Sequence, residues 1–153
     1  MKGLNMSHTD IFQNSTSELQ NRINKIHSKH ELKNYIDTHT ASICSFSEYY
    51  YNILRHKNIS LADAVKASRL EKYAYKILDE TKPLHAGRDK ILCLCIGAKM
   101  NIKETNRCLE MLSLGILYSR NSKDAIIIYH INNNDWSIEN INIDLQDYGL
   151  ELL

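Results

Sequence analysis

The fold is decided by residues 60–78, which read SLADAVKASRLEKYAYKIL. Ser60 is followed three residues later by Asp63, in the style of a capping box, so we expect a helix to open at Ser60. Apolar residues then recur at helical spacing, with a break around 67–69 and a second apolar face after it. The inward-facing positions are Leu61, Ala64 and Val65 before the break and Leu70, Ala74, Ile77 and Leu78 after it. The stretch therefore predicts two short helices joined by a tight turn.

The segments on either side extend this pattern. Residues 46–54 form an amphipathic helix, with apolar side chains at positions 46, 49, 50, 53 and 54. Pro83 lacks an amide hydrogen and restrains the residue before it, so the second helix of the pair must end before that point. The apolar run at 91–96 then looks like the next core helix.

An internal repeat fills the rest of the chain. The run RDKIL at 88–92 corresponds to KDAII at 123–127, and NIKETN at 101–106 corresponds to SIENIN at 137–142. The offsets are 35 and 36 residues, and periods of this size indicate stacked helical hairpins. Asn101 and Ser137 are placed to cap the second helix of each hairpin. The β-branched run at 126–128 could alone form a strand, but its counterpart has a helical pattern, so we predict a helix there.

Composition limits the fold class and the compartment. A single proline and five glycines argue against a β-sandwich or barrel, which needs many turn residues. No apolar run is long enough to cross a bilayer, and the first ten residues lack a signal sequence. We therefore expect a soluble, cytoplasmic, all-α protein with no membrane partner, whose four cysteines are reduced and pack as small core residues.

Residues 46–97 resemble the lambda-repressor-like, Xre-type helix-turn-helix family over about a third of the chain. The resemblance is carried by the 46–54 helix, by 60–68 and 70–78 as the two helices of the motif, by Lys82-Pro83 and by the 91–96 run. It implies an all-α fold, a lambda-repressor-like helix-turn-helix domain extended by repeated helical hairpins. The expected divisions are a flexible tail (1–15), an N-terminal helical segment (16–45), the helix-turn-helix domain (46–100) and a hairpin extension packed on it (101–153).

The same resemblance implies a dimeric, bacterial DNA-binding transcription regulator, whose second motif helix enters the major groove of double-stranded DNA. The groove-facing residues would be Glu71, Lys72, Tyr73 and Lys76, with Arg69 at the turn. Flanking phosphate contacts, whose contribution depends on salt, would come from Lys66, Lys82, His85 and Arg88. Charge agrees, because residues 46–92 carry nine Lys/Arg and six Asp/Glu, whereas residues 93–153 carry five and eight.

Two features leave a second function open. The turn of such a motif usually carries a glycine, which tolerates a left-handed backbone, and here Arg69 stands at or near that place. Acidic residues, Glu71 among them, share the second helix with its lysines. The alternative is a helical protein–protein interaction module that keeps the fold without reading DNA, with a homodimer or another protein as its partner.

Other motifs favour structural roles. The chain has no Ser/His/Asp arrangement, glycine-rich phosphate loop or HExxH motif, so we expect no enzyme activity and no cofactor. His27 and His30 are better explained by a solvated helix face than by a metal site. Two of the three tyrosines at 49–51 fit the apolar helix face, so core packing is favoured over a stacking surface for single-stranded nucleic acid. Trp136, just before Ser137, is expected to be a hydrophobic staple.

Overall fold

The structure is a computed structural model that describes residues 16–39, 44–81 and 85–153. Within those ranges the only regular secondary structure is helical, which confirms the all-α prediction. The predicted tail at 1–15, together with Lys82 and Pro83, lies outside the described residues. No helix among the described residues is long and apolar enough to cross a membrane. The helices are α1 (Thr16–Ile23), α2 (Lys29–His39), α3 (Phe46–Lys57), α4 (Leu61–Ser68), α5 (Lys72–Leu78), α6 (Arg88–Gly97), α7 (Ile102–Met111), α8 (Ser122–Asn132) and α9 (Ile138–Asp147).

The chain divides into two compact units, one up to Cys44 and one from Ser45 onward. In the first unit, the backbone amide of Glu31 donates to Ser28 Oγ, and the Glu31 carboxylate accepts from the amides of His27 and Ser28. These bonds fix the start of α2, because they satisfy amides that a helix N-terminus otherwise leaves unpaired. The Tyr35 hydroxyl, on α2, donates to the carbonyl of Leu19 on α1.

The second unit begins with the helix pair α3 and α4, as the sequence predicts. Ser60 Oγ accepts from the amide of Asp63 at 3.1 Å, so α4 opens where the capping pattern placed it. Between the two helices Asn58 has a left-handed backbone, with φ at 57°. Asparagine tolerates this conformation better than most residues, and the turn brings Ser60 into the capping position.

The turn after α4 differs from the prediction at its far end. Arg69 has φ at 60°, so it does occupy the left-handed position that favours glycine. Glu71 also has positive φ, at 51° with ψ at −128°, a conformation that no helix contains. The helix α5 therefore starts at Lys72 rather than at Leu70, and Glu71 belongs to the turn.

The core is centred on α6, whose residues from Ile91 to Gly97 are all buried. Its crossing with α4 is close at Gly97, where a Cβ atom would lie 2.4 Å from the carbonyl oxygen of Ala64. No other residue fits there, since real side chains do not approach a backbone oxygen so closely. The hydroxyl of Tyr50, on α3, donates to the carbonyl of Leu94 at 3.0 Å and ties a third helix to the same centre.

The predicted repeat is present as two hairpins, α6–α7 and α8–α9. Asn101 caps α7 in a capping box with Glu104, and Ser137 caps α9, both as predicted. The run at 126–128 is helical, as its counterpart in α6 indicated. Each hairpin turn contains a left-handed residue, Lys99 in the first and Asn134 in the second.

Candidate interaction surfaces

The two repeated hairpins are joined by reciprocal ion pairs between equivalent positions. Arg88 of the first hairpin holds Asp124 of the second with two hydrogen bonds of 2.7 and 2.8 Å. Lys123 of the second holds Asp89 of the first at 2.8 Å. Since Arg88 corresponds to Lys123 and Asp89 to Asp124, each hairpin gives the other one base and one acid. The basic-acidic dipeptide at the start of each repeat therefore joins the two hairpins to each other.

The same basic residues also close their own hairpins. Arg88 donates to the carbonyls of Gly115 and Ile116, and Lys123 donates to the carbonyl of Leu152, 36 residues after Ile116. The Arg88 guanidinium thus makes four hydrogen bonds inside the unit. Four of its five N–H groups are used in this way, and the phosphate contact that the resemblance implied for Arg88 stays a prediction.

The exposed side of α5 carries part of the expected DNA-binding set. Lys72 and Lys76 are exposed, whereas Tyr73 is half-buried. Tyr75, with 48% of its surface accessible, is the more exposed of the two tyrosines. The prediction missed Tyr75. The signal was the helical spacing, because Tyr75 lies opposite the buried positions 74, 77 and 78.

Acidic residues lie near some of the remaining predicted contacts. Arg69 pairs with Glu139, an acidic residue of α9, so part of its charge is offset. Glu71 is exposed beside Lys72 and adds a negative charge there. Lys66 and His85 are exposed, at the end of α4 and before α6, and Lys82 lies outside the described residues.

The tyrosines at 49–51 divide as the core-packing interpretation requires. Tyr49 and Tyr50 are buried, and desolvation raises the pKa of both phenols well above the usual range. Tyr51 is exposed. A stacking surface for single-stranded nucleic acid needs several exposed rings side by side, and this helix presents one.

A second surface, which the sequence did not single out, lies at the end of the last hairpin. Here a shallow cavity of about 280 Å³ opens between α8 and α9, lined by Tyr129, Asn140, Ile143 and Asp144 among others. His130 lies below it, with Nδ1 2.9 Å from Asp135 Oδ2 and Nε2 2.7 Å from Asp144 Oδ2. The imidazole is thus held between two carboxylates, one at each ring nitrogen.

Comparing the repeats could have revealed this surface. His130 corresponds to Cys95 and Asp144 to Cys108, so a hydrogen-bonded imidazole and carboxylate replace a buried thiol pair at the same place in the hairpin. In the first hairpin, burial and a hydrogen bond with Cys95 raise the pKa of the Cys108 thiol. The exchange puts the Asp144 side chain, 39% exposed, where the first hairpin has the fully buried Cys108, while His130 is buried, as Cys95 is.

Trp136 links the two hairpins. Its indole Nε1 donates to the carbonyl of Met100 at 3.0 Å, across the turn between α6 and α7. The expected staple would be a contact within its own hairpin, whereas this hydrogen bond reaches the preceding one. The donor satisfies a carbonyl next to the left-handed Lys99, which fixes the two turns relative to each other.

Comparisons with protein-family models, with curated protein sequences and with solved structures find no match to this chain.

Proposed function

We propose that this protein is a non-catalytic helical-repeat module that binds another protein. The observation that carries the proposal is the reciprocal pairing of Arg88 with Asp124 and of Lys123 with Asp89. It makes α6–α9 a stack of equivalent hairpins, which is the plan of repeat proteins that present extended binding surfaces. Ankyrin repeats have a similar plan, with two helices and a turn in about 33 residues.

The distribution of exposed apolar side chains supports the same proposal. Tyr129 and Ile143, which line the same cavity between α8 and α9, each expose more than half of their surface. Exposed aromatic and aliphatic side chains that lie together on one surface are typical of a protein-binding site.

The test is affinity capture from the source cell with the full chain as bait, with and without nuclease, followed by chemical cross-linking. We expect protein partners that survive nuclease and cross-link to residues between 112 and 153. Loss of every partner after nuclease treatment, or cross-links confined to α5, would contradict the proposal. The matched control bait carries Arg88→Met, which loosens the stack and should lose the same partners.

Binding to double-stranded DNA is the second candidate, favoured by the turn geometry. A helix of eight residues, three turn residues with left-handed Arg69, and α5 with exposed Lys72 and Lys76 have the order of a helix-turn-helix. Anisotropy with labelled duplexes from the protein's own locus, between about 0.05 and 0.2 M salt, tests it. Binding that weakens steeply with salt and with Lys72→Ala/Lys76→Ala would favour DNA; no binding at low salt would exclude it.

A further inference from the structure

The end of the last hairpin has the features of a docking surface. We define the α8–α9 end face by Tyr129, Asn140, Ile143 and Asp144, which surround the 280 Å³ cavity above His130. Tyr129 and Ile143 expose 60% and 56% of their surface. Two large apolar side chains at the rim of a polar cavity leave apolar area in water, which a partner can bury.

The repeat shows how the two positions are used in the other hairpin. Tyr129 corresponds to Leu94, which is fully buried, and Ile143 corresponds to the half-buried Arg107 of α7. An isoleucine at a solvent-facing position where the other hairpin has an arginine adds little to the stability of its own hairpin. A binding function explains why it is apolar.

The floor of the cavity is fixed in place and negatively charged. Asn140 donates to both oxygens of Asp135, at 3.3 and 3.0 Å, and this bonding lowers the pKa of that carboxyl. Asp144 uses Oδ2 for His130, and its Oδ1 has no hydrogen bond to any described residue. A carboxylate oxygen at a fixed position beside an exposed phenol ring suits a cationic group, which can gain both an ion pair and a cation–π contact.

The charge of the surrounding segment decides what the occupant is. Residues 124–153 contain no Lys or Arg and six Asp/Glu. Asp124 is paired with Arg88 and Glu139 with Arg69, which leaves Asp135, Asp144, Asp147 and Glu151 as the acidic residues without a Lys or Arg partner among the described residues. A second copy of this chain docked face to face would set acidic residues against acidic residues, and like charges at an interface are unfavourable. We propose that the α8–α9 end face binds a cationic polypeptide segment of a partner protein, in which Lys or Arg stands next to an apolar side chain. This inference rests on the proposed function and specifies its binding site.

The experiment selects peptides from a random-sequence library displayed on phage, with the folded full chain as target. The enriched peptides are then synthesised with a label and titrated by anisotropy at about 0.15 M salt. We expect enrichment of Lys or Arg adjacent to Leu, Ile, Val or an aromatic residue. The variant Tyr129→Ser/Ile143→Ser should bind these peptides about tenfold more weakly, as for truncation of interface anchors.

The control variant is Ile116→Ser/Tyr118→Ser, which removes the same two residue types from an exposed loop outside the end face. It should bind like the wild type, and circular dichroism should show that both variants are folded. Enrichment of no peptide class or of acidic peptides, or equal losses in the two variants, would overturn the proposal. If the end-face variant still captures nuclease-resistant partners, only the site is wrong; if no such partner exists, the proposed function itself fails.

Discussion

The pairing of Arg88 with Asp124 should contribute more to stability than any other ion pair among the described residues. The Asp124 side chain is 4% exposed, and its carboxylate accepts two hydrogen bonds from Arg88 and one from the amide of Tyr118. Replacing Arg88 by methionine keeps much of the aliphatic stem but leaves a buried carboxylate with one donor. Breaking such a buried pair from one side costs about 3–5 kcal/mol, so we expect Arg88→Met to lower the free energy of unfolding by about 3 kcal/mol or more.

The reciprocal pair supplies the comparison. In the Lys123–Asp89 pair the acid is 40% exposed, so water can replace much of the lost interaction when the lysine is removed. Pairs with an exposed member are worth about 0–1 kcal/mol, and Lys123→Met should accordingly cost about 1 kcal/mol. The two substitutions occupy equivalent repeat positions and differ in the burial of the partner and in the hydrogen bonds removed, which number four for Arg88 and two for Lys123.

Urea unfolding followed by circular dichroism measures both changes, and a double-mutant cycle with Asp124→Asn isolates the interaction. We expect Arg88→Met/Asp124→Asn to lose less than the sum of the single variants by about 1.5 kcal/mol or more, because the second change removes the unpaired charge. The reasoning is refuted if Arg88→Met costs less than about 1 kcal/mol, or if the cycle is additive within about 0.5 kcal/mol.

Three further predictions follow from single positions. Gly97→Ala should destabilise the chain by about 2 kcal/mol or more, since its Cβ would meet the α4 backbone. The control Gly115→Ala should not destabilise it, because a Cβ there meets nothing within 4 Å. Equal melting temperatures for the two variants would contradict the close packing at Gly97. Lys99→Gly should raise the free energy of unfolding by about 0.5–1 kcal/mol in urea titrations, since φ is 52° there. In iodoacetamide labelling at pH 8, followed by mass spectrometry, half-buried Cys44 should react first. Burial raises the pKa of the Cys93 thiol to about 11, so labelling of Cys93 should need unfolding or strong alkali. Rapid labelling of Cys93 would count against its burial.

Local signals predicted most of the helices. The caps at Ser60, Asn101 and Ser137 are where the sequence placed them, because an N-cap depends on residues three apart in the chain. The repeat predicted the helix at 126–128 for a similar reason: a counterpart with a clear helical pattern resolved an ambiguous β-branched run.

The surfaces were less predictable, because they depend on contacts between distant residues. The sequence suggested a phosphate contact for Arg88, and only its hydrogen bonds to Asp124, 36 residues later, show that it also joins the two hairpins. The start of α5 depends on the backbone of Glu71, which has a positive φ. No residue type in the turn predicts this conformation. Arg69 meets Glu139 across 70 residues, a pairing that helical periodicity does not encode.

The turn that suggested a DNA-binding motif is also the standard ending of these hairpins. After α7 and α9 the chain turns through a left-handed residue, and the next amide, of Leu114 or Leu150, donates to a carbonyl five residues back at 2.8 Å. After α4 the left-handed residue is Arg69, and the equivalent groups are the amide of Leu70 and the carbonyl of Val65. Ser68 Oγ lies between them, since it accepts from that amide and donates to that carbonyl.

A left-handed residue followed by leucine therefore ends three helices of this chain, whatever follows each of them. Left-handed Asn58, Lys99 and Asn134 end α3, α6 and α8 in the same way, so the turn at Arg69 is a common helix ending in this chain and does not by itself indicate DNA. The two functions need different surfaces. DNA binding needs Lys72 and Lys76 to be exposed without acidic neighbours. Binding of a protein needs Tyr129 and Ile143 to be exposed beside carboxylates in fixed positions. Glu71 lies beside those lysines, whereas the charge and the apolar rim of the last hairpin both suit a cationic partner.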